Sequence, residues 1–281
     1  MVQQQWSGKT DGTTWMQRSL IAMLRIIPCE VFYGVLLVVV PFYMLFSRKS
    51  YCAIYRYFRH RLGYGRVRAF LNVYWNHFLF GQVVIDRFAA FAGKQYKFEI
   101  DNLHLFDELV AGEGGFIMLS SHVGCYEMAG CMLTSKKKPI NAVAYDGETA
   151  VVSRNRESLM LRHNMKLIPV KRDMSHLFAV NSALDRGEIV SLPADRLNGS
   201  PKTVRCMFMG EEAQFPMGPF SLARVKKVPV LAMFVMKEGS RRYHIYLSRV
   251  ENAQQFACDI EATLRKYPAQ WFNFYDFWNK E

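Results

Sequence analysis

Gly115-Phe-Ile-Met-Leu-Ser-Ser-His-Val-Gly-Cys-Tyr-Glu127 is the stretch on which the reading of this chain turns. Its first six residues form a short apolar run bounded by glycine, the pattern of a strand buried on both faces of a mainly parallel sheet. Gly124 permits a turn, and Glu127-Met-Ala-Gly-Cys-Met-Leu133 has a helical texture. His122 is therefore expected on the loop beyond the strand's carboxyl end, where open α/β sheets bind their ligands. One helical turn further on, Glu127 is expected to face back, fix the imidazole's tautomer and support its protonated form, which makes His122 a candidate general base for an alcohol. His/Glu pairs at this separation also arise by chance, so the spacing does not establish the chemistry alone.

The chain has 281 residues, 51% of them hydrophobic, and a formal net charge of +12. That length suits one large α/β domain or a domain with an appendage. The positive charge is concentrated early: Lys9, Arg18, Arg25, Arg48, Lys49, Arg56, Arg59, Arg61, Arg66 and Arg68 face only Asp11 and Glu30 before position 70. Between Arg25 and Arg48 lies an apolar run over 26–46, close to the length a membrane span needs. Glu30 and Pro41 leave four arrangements open: a tilted span, a re-entrant hairpin bent at Pro41, an interfacial helix or a buried core helix. The run starts too far from Met1 for a signal peptide, and no small-residue cleavage site follows it.

Residues 50–68 then mix aromatic and cationic side chains as an interfacial belt does, with rings at headgroup depth and bases against anionic lipid. No zinc-finger, helix-turn-helix or RNA-binding signature accompanies this charge, so a membrane is the expected partner and nucleic acid is not. The greater basic excess after Phe46 assigns that side to the cytoplasm. Six cysteines lack paired or metal-ligand spacing, as in a reduced, cytosol-facing domain.

The texture divides the chain into a helical, membrane-associating region over 1–92 and an α/β region over 93–281. Strands are expected at 96–100, 115–119, 140–145, 167–170, 189–193, 204–209, 228–235 and 243–249. Helices are expected at 102–111, 125–133, 154–164, 175–185 and 219–225. The alternation implies a mostly parallel, mixed sheet covered by helices on both faces.

Two further groups follow strands. Arg172 ends Lys166-Leu-Ile-Pro-Val-Lys-Arg172, and its planar cation suits a phosphate or carboxylate on a substrate. Asp195 and Arg196 follow Glu188-Ile-Val-Ser-Leu-Pro193 in the same way. Between Phe208 and Ala223, Gly210 and Gly218 stand among Phe and Met side chains. Such a stripe suits either the walls of an acyl-chain slot, with Gly218 admitting a close approach, or a packed core.

In order along the chain, these motifs resemble the bacterial late acyltransferases of lipid A biosynthesis, within the lysophospholipid/glycerolipid acyltransferase superfamily. The resemblance runs from about Phe116 to Trp278. It rests on the strand with His122-x4-Glu127, Asp185-Arg-Gly-Glu-Ile-Val190 leading to Asp195, Phe208-x-Gly210 with Gly218-Pro-Phe-Ser-Leu-Ala223, Val228-Pro-Val230 and Pro268-Ala-Gln-Trp271. Arg172 looks like the arginine of the superfamily's second block. The resemblance implies a metal-independent, cofactor-free transfer of a fatty acyl group, usually from acyl carrier protein, to a hydroxyl of a membrane lipid. Acyl-CoA is the alternative donor. The implied location is the cytoplasmic face of the bacterial inner membrane.

Tyr145-Asp146, Arg196, Asn164, Asn273 and Tyr275 depart from the family's usual residues. They leave the acceptor open between a lipid A precursor and another lipid or lipid-like metabolite. In the expected mechanism His122 deprotonates the acceptor as it attacks the thioester, Glu127 supports the imidazolium, and backbone N–H groups near Gly124 hold the oxyanion. Arg172 binds an anionic group, and Asp195 organises that pocket. Three rivals remain at this level: a hydrolase using Ser121 or Cys125 as nucleophile, a non-catalytic lipid-binding protein of the same fold, and a zinc enzyme. For the last, His122, His163, His176 and Asp195 lack ligand spacing.

Overall fold

The computed structural model describes residues 13–145, 164–171, 173–197 and 202–278. Arg172 and His163 lie outside them, as does nearly all of the helix expected at 154–164. Helices come first. Thr13 caps α1 (Thr14–Ile26) by accepting a hydrogen bond from the Met16 N–H. Then follow α2 (Cys29–Phe46), α3 (Arg48–Arg56), which runs into a π turn at Tyr57–Arg61, and the long α4 (Arg66–Phe91). Pro41 sits inside α2 without ending it, so among the arrangements open in the sequence the hairpin is not the one adopted. With 18 residues and a mean hydropathy of 2.1, α2 is long and apolar enough to cross a membrane, and only 22% of that stretch is buried. Cys29, Tyr33, Val40 and Met44 point inward. Gly81 of α4 lets Leu36 of α2 approach so closely that a Cβ there would lie 2.8 Å from its methyl carbon.

The α/β part contains β1 (Lys97–Asp101), α5 (Leu103–Ala111), β2 (Phe116–Ser120), a 3-10 segment (Tyr126–Cys131), β3 (Ile140–Tyr145), β4 (Met165–Val170), α6 (Ser175–Asp185) and β5 (Ile189–Pro193). After them come β6 (Thr203–Phe208), β7 (Glu211–Pro216), α7 (Gly218–Lys226), β8 (Val230–Gly239), β9 (Arg242–Arg249), α8 (Ala253–Lys266) and a 3-10 turn at Pro268–Gln270. Seven strands make one sheet in the order β1-β9-β8-β2-β5-β3-β4. From β8 through β4 all pairings are parallel, while β9 turns back antiparallel to β8 and carries β1 with it. Every residue of β2 is buried, as are the first eight of β8, the mark of strands covered on both faces. The expected mostly parallel, helix-covered sheet is the one found.

Two elements were not anticipated. Glu211-Glu-Ala-Gln-Phe-Pro216 pairs with β6 in a separate two-stranded ribbon, closed by Met209 and Gly210, both at positive φ. That two-residue turn suits the twist of a hairpin. Its inward residues pack rather than line a slot: Phe208 and Phe215 are buried against each other and against Trp271 and Phe277. α8 was missed as well. It opens on Asn252, whose side chain accepts the Gln255 N–H, and buries Phe256, Ala257, Ile260 and Leu264 along one face.

The helical layer is joined to the sheet by a buried polar cluster. Asp86 of α4 pairs with Lys237 of β8 at 2.5 Å and accepts hydrogen bonds from the buried Tyr33 and Tyr243 and the half-buried Tyr96. Lys237 Nζ also donates to Ser240 O at 3.0 Å. An unpaired charge there would be costly, so the cluster fixes where α2 and α4 sit on β8.

Candidate active site

β2 and β5 run parallel with Ser120 opposite Pro193, and the ladder continues one step through Ala194 N–H to Ser120 O at 2.9 Å. One residue further on in each strand stand His122 and Asp195. Parallel register alone therefore brings together two side chains 73 positions apart. One Asp195 oxygen lies 2.8 Å from His122 Nδ1, and the other accepts the His122 backbone N–H, also at 2.8 Å. The carboxylate thus fixes both the ring and the chain that carries it. His122 has 18% of its side chain exposed and Asp195 only 4%.

Burial by itself pushes the Asp195 carboxyl up, but the His122 ring and N–H, with Arg196 nearby, hold it below the usual carboxylate range. It is therefore a carboxylate and accepts a hydrogen bond from the Nδ1–H. Nε2 is left with its lone pair, and no described protein group is hydrogen-bonded to it. Tyr126 stands edge-on to the imidazole at 5.7 Å and limits its rotation.

The carboxylate expected on His122 was Glu127, and this is corrected. Between the two residues the backbone does not make a helical turn. Val123 bridges to Trp271, Gly124 bridges to Val235, and only then does the 3-10 segment begin. Glu127 instead receives both its hydrogen bonds from Arg87 of α4, at 3.0 and 3.2 Å. The expected role of Gly124 is corrected too. Its N–H donates to Gln270 O at 2.8 Å, and the Cys125 N–H donates to Val235 O at 2.8 Å, so neither is free to hold an oxyanion. What the glycine supplies is shape. With φ at +68° and Val235 O only 2.0 Å from where a Cβ would be, no other residue fits.

Arg196 reaches the C-terminal segment: Nη2 donates to Phe272 O at 2.9 Å, and the guanidinium lies 5.6 Å from the Tyr275 ring. Gly218 opens α7, and a Cβ there would meet open space. Asn164 has φ of +54° and donates to Ser135 O, a left-handed position that explains why glycine or asparagine belongs there.

Supports that the sequence did not reveal come from α4 and the C-terminus. Asn76 donates to the carbonyls of Ala269 and Trp271, Gln270 pairs with both backbone groups of Lys237, and Phe272 N–H donates to His122 O. Each contact spans a large separation in sequence. Asp195 was signalled by its place just past a strand end and by the motif Asp185-Arg-Gly-Glu-Ile-Val190 that leads to it, but neither pointed to His122 as its partner.

The rival nucleophiles are poorly placed. Burial pushes the Cys125 thiol up, and Ser121 is buried with its hydroxyl facing the Val123 N–H. His176 accepts the Lys171 N–H at 3.3 Å. Among the described residues, the histidine and carboxylate ligand atoms grouped closely enough for a cation are those of Glu99, Glu238 and His244, on β1, β8 and β9.

A mostly parallel sheet carrying a carboxylate-oriented imidazole beyond its strand ends defines an α/β protein with its polar side chains gathered at the carboxyl edge of the sheet. The family model for bacterial lipid A biosynthesis acyltransferases matches residues 87–280, from Arg87 at the site to Lys280, and the chain belongs to that family. No curated protein matches the chain.

Proposed function

We propose that the protein moves a fatty acyl group from an acyl thioester to a hydroxyl of a lipid acceptor such as a lipid A precursor. In this reading His122 Nε2 takes the acceptor's proton as its oxygen attacks the thioester carbon, and the thiolate of the carrier leaves. Asp195 holds the Nδ1–H tautomer and stabilises the imidazolium that forms. The observation that carries the reading is the paired contact of Asp195 with the ring and the N–H of His122, which leaves Nε2 as the unengaged nitrogen. Glu127 is held by Arg87 and serves the reaction by fixing the 3-10 segment and the wall beside Tyr126. Arg172 is retained as the candidate cation for an anionic substrate group, on the resemblance alone.

Residues 1–92 form the membrane-associating part and 93–281 the transferase, with α4 joining the two. The donor is acyl carrier protein or acyl-CoA, and the site faces the cytoplasm at the inner membrane. This location is supported by the exposed apolar side chains of α1, α2 and α4, among them Trp15, Ile26, Val38, Phe42, Phe46 and Phe70, beside the basic run after Phe46. Lipid mass spectrometry of cells with and without the intact gene tests the function. Loss of one acyl chain from one lipid names acceptor and chain length together. An unchanged lipid profile, with no thioester consumed by the purified protein, overturns the reading.

A further inference from the structure

A second cleft, used by none of the steps above, opens between the basic turn after α3 and the C-terminal aromatic segment. The π turn closes with Leu62 N–H donating to Tyr57 O, and it sets Arg56, Tyr57, His60 and Arg61 along one face. Such turns recur at functional sites because the extra residue redirects side chains. Against this face lies Trp271–Trp278. Tyr57 meets Trp271 edge-on at 4.8 Å, and the Arg61 guanidinium lies 4.1 Å from the Trp278 ring centre. Between them is a cavity of about 140 Å³, against the roughly 10–15 Å³ that one water needs on the same measure.

The chemistry of the walls selects an anion attached to an organic body. Arg56 and His60 supply the donors, and a guanidinium fork matches phosphate oxygens; Arg61, held by Glu211 and stacked on Trp278, adds positive charge to the wall. The indoles of Trp271 and Trp278 and the Tyr275 ring give apolar faces for what the anion is attached to. Arg56 is capped by Asp276 at 3.0 Å, but the two side chains are 63% and 40% exposed, and a pair so wet is readily exchanged for a phosphate ester. The floor is shared with the catalytic centre. Trp271 bridges to Val123, Phe272 N–H donates to His122 O, and Tyr275 lies beneath Arg196.

We propose that this cleft binds a phosphate ester carried by one of the two acyl-transfer substrates, either the headgroup phosphate of the acceptor lipid or the pantetheine phosphate of the donor. The identity of those substrates rests on the function proposed above; the cleft does not. The test is equilibrium binding by the full-length protein in neutral detergent, followed through tryptophan emission, because two of the five tryptophans line the cleft. The probes are dihexanoyl phosphatidate, phosphopantetheine and, as the phosphate-free control, dihexanoylglycerol.

Saturable binding of phosphatidate alone assigns the site to the acceptor, of phosphopantetheine alone to the donor, and of both to a shared phosphate subsite. In each case Arg56→Gln with His60→Gln weakens binding about ten-fold. Asp276→Asn tightens it, a direction that misfolding does not imitate. Equal curves for phosphatidate and dihexanoylglycerol with no response to phosphopantetheine, or variants that bind as the parent does, overturn the proposal. Binding that responds to these variants in a protein without transferase activity would overturn the proposed function and leave the cleft standing. Activity without such binding would do the reverse.

Discussion

Asp195 acts on a single residue in two ways, and the two are separable by mutation. Asp195→Asn keeps the shape and an acceptor for the His122 N–H, but it removes the charge that favours the Nδ1–H tautomer and the imidazolium. It is expected to lower kcat by about 10²–10⁴ with little change in KM, measured as thioester consumption. The same carboxyl sits below its ordinary range in the folded protein, so its contribution to stability is present above the unfolded value near 4 and is lost as pH falls through the folded value. Thermal midpoints followed from pH 6 downward should therefore fall less steeply in Asp195→Asn than in the parent. Gly124 makes the complementary case for shape without charge. Gly124→Ala drives a Cβ into Val235 O and is expected to cost about 3–5 kcal/mol, read as a large drop in thermal midpoint or loss of soluble expression. A variant as stable as the parent would mean that the bridge between Gly124 and β8 is not tight.

Among the elements, α4 determines where the site's supports come from. Asp86 reaches β8, Arg87 reaches Glu127, and Asn76 reaches the carbonyls beside Trp271, so one helix braces three walls. Removing one partner of the Asp86–Lys237 pair strands a buried charge, and Lys237→Met alone is expected to cost about 3–5 kcal/mol. Adding Asp86→Asn should recover part of that loss. A double variant less stable than the single, measured by chemical denaturation, would contradict the assignment of a buried pair. The sheet strands were legible because β2, β5 and β8 are apolar runs between turn residues, and β3, β5 and α6 fall on their expected bounds. β7 was not legible, because Glu212 and Gln214 point outward and the opposite face opens on a charged residue, Glu211, before the buried Ala213 and Phe215. His122 and Asp195 were each legible as polar residues past strand ends. Their pairing depends on β2 lying beside β5, a fact of topology that no local spacing encodes. Local spacing favoured Glu127 instead, and the break in helical geometry at Val123 and Gly124 removed it.

At the scale of the molecule, the exposed face of α2 and its neighbours is apolar while the central strands β2 and β8 are enclosed. An 18-residue helix is about 27 Å long, slightly short of the roughly 30 Å hydrocarbon core, and one of its faces is occupied by α4. The remaining face presents Val35, Val38 and Phe42 to the surroundings, and changing all three to Ser should weaken flotation with anionic vesicles while leaving the far-ultraviolet dichroism intact. Unchanged flotation would assign membrane binding to another surface. The account depends most on the His122 imidazole acting as the base, and the direct measurement is acyl transfer by full-length His122→Gln reconstituted in vesicles, compared with the parent. The account predicts a fall of at least about 10²-fold in turnover with flotation and thermal midpoint preserved. Turnover near that of the parent in a folded, membrane-bound His122→Gln would contradict it.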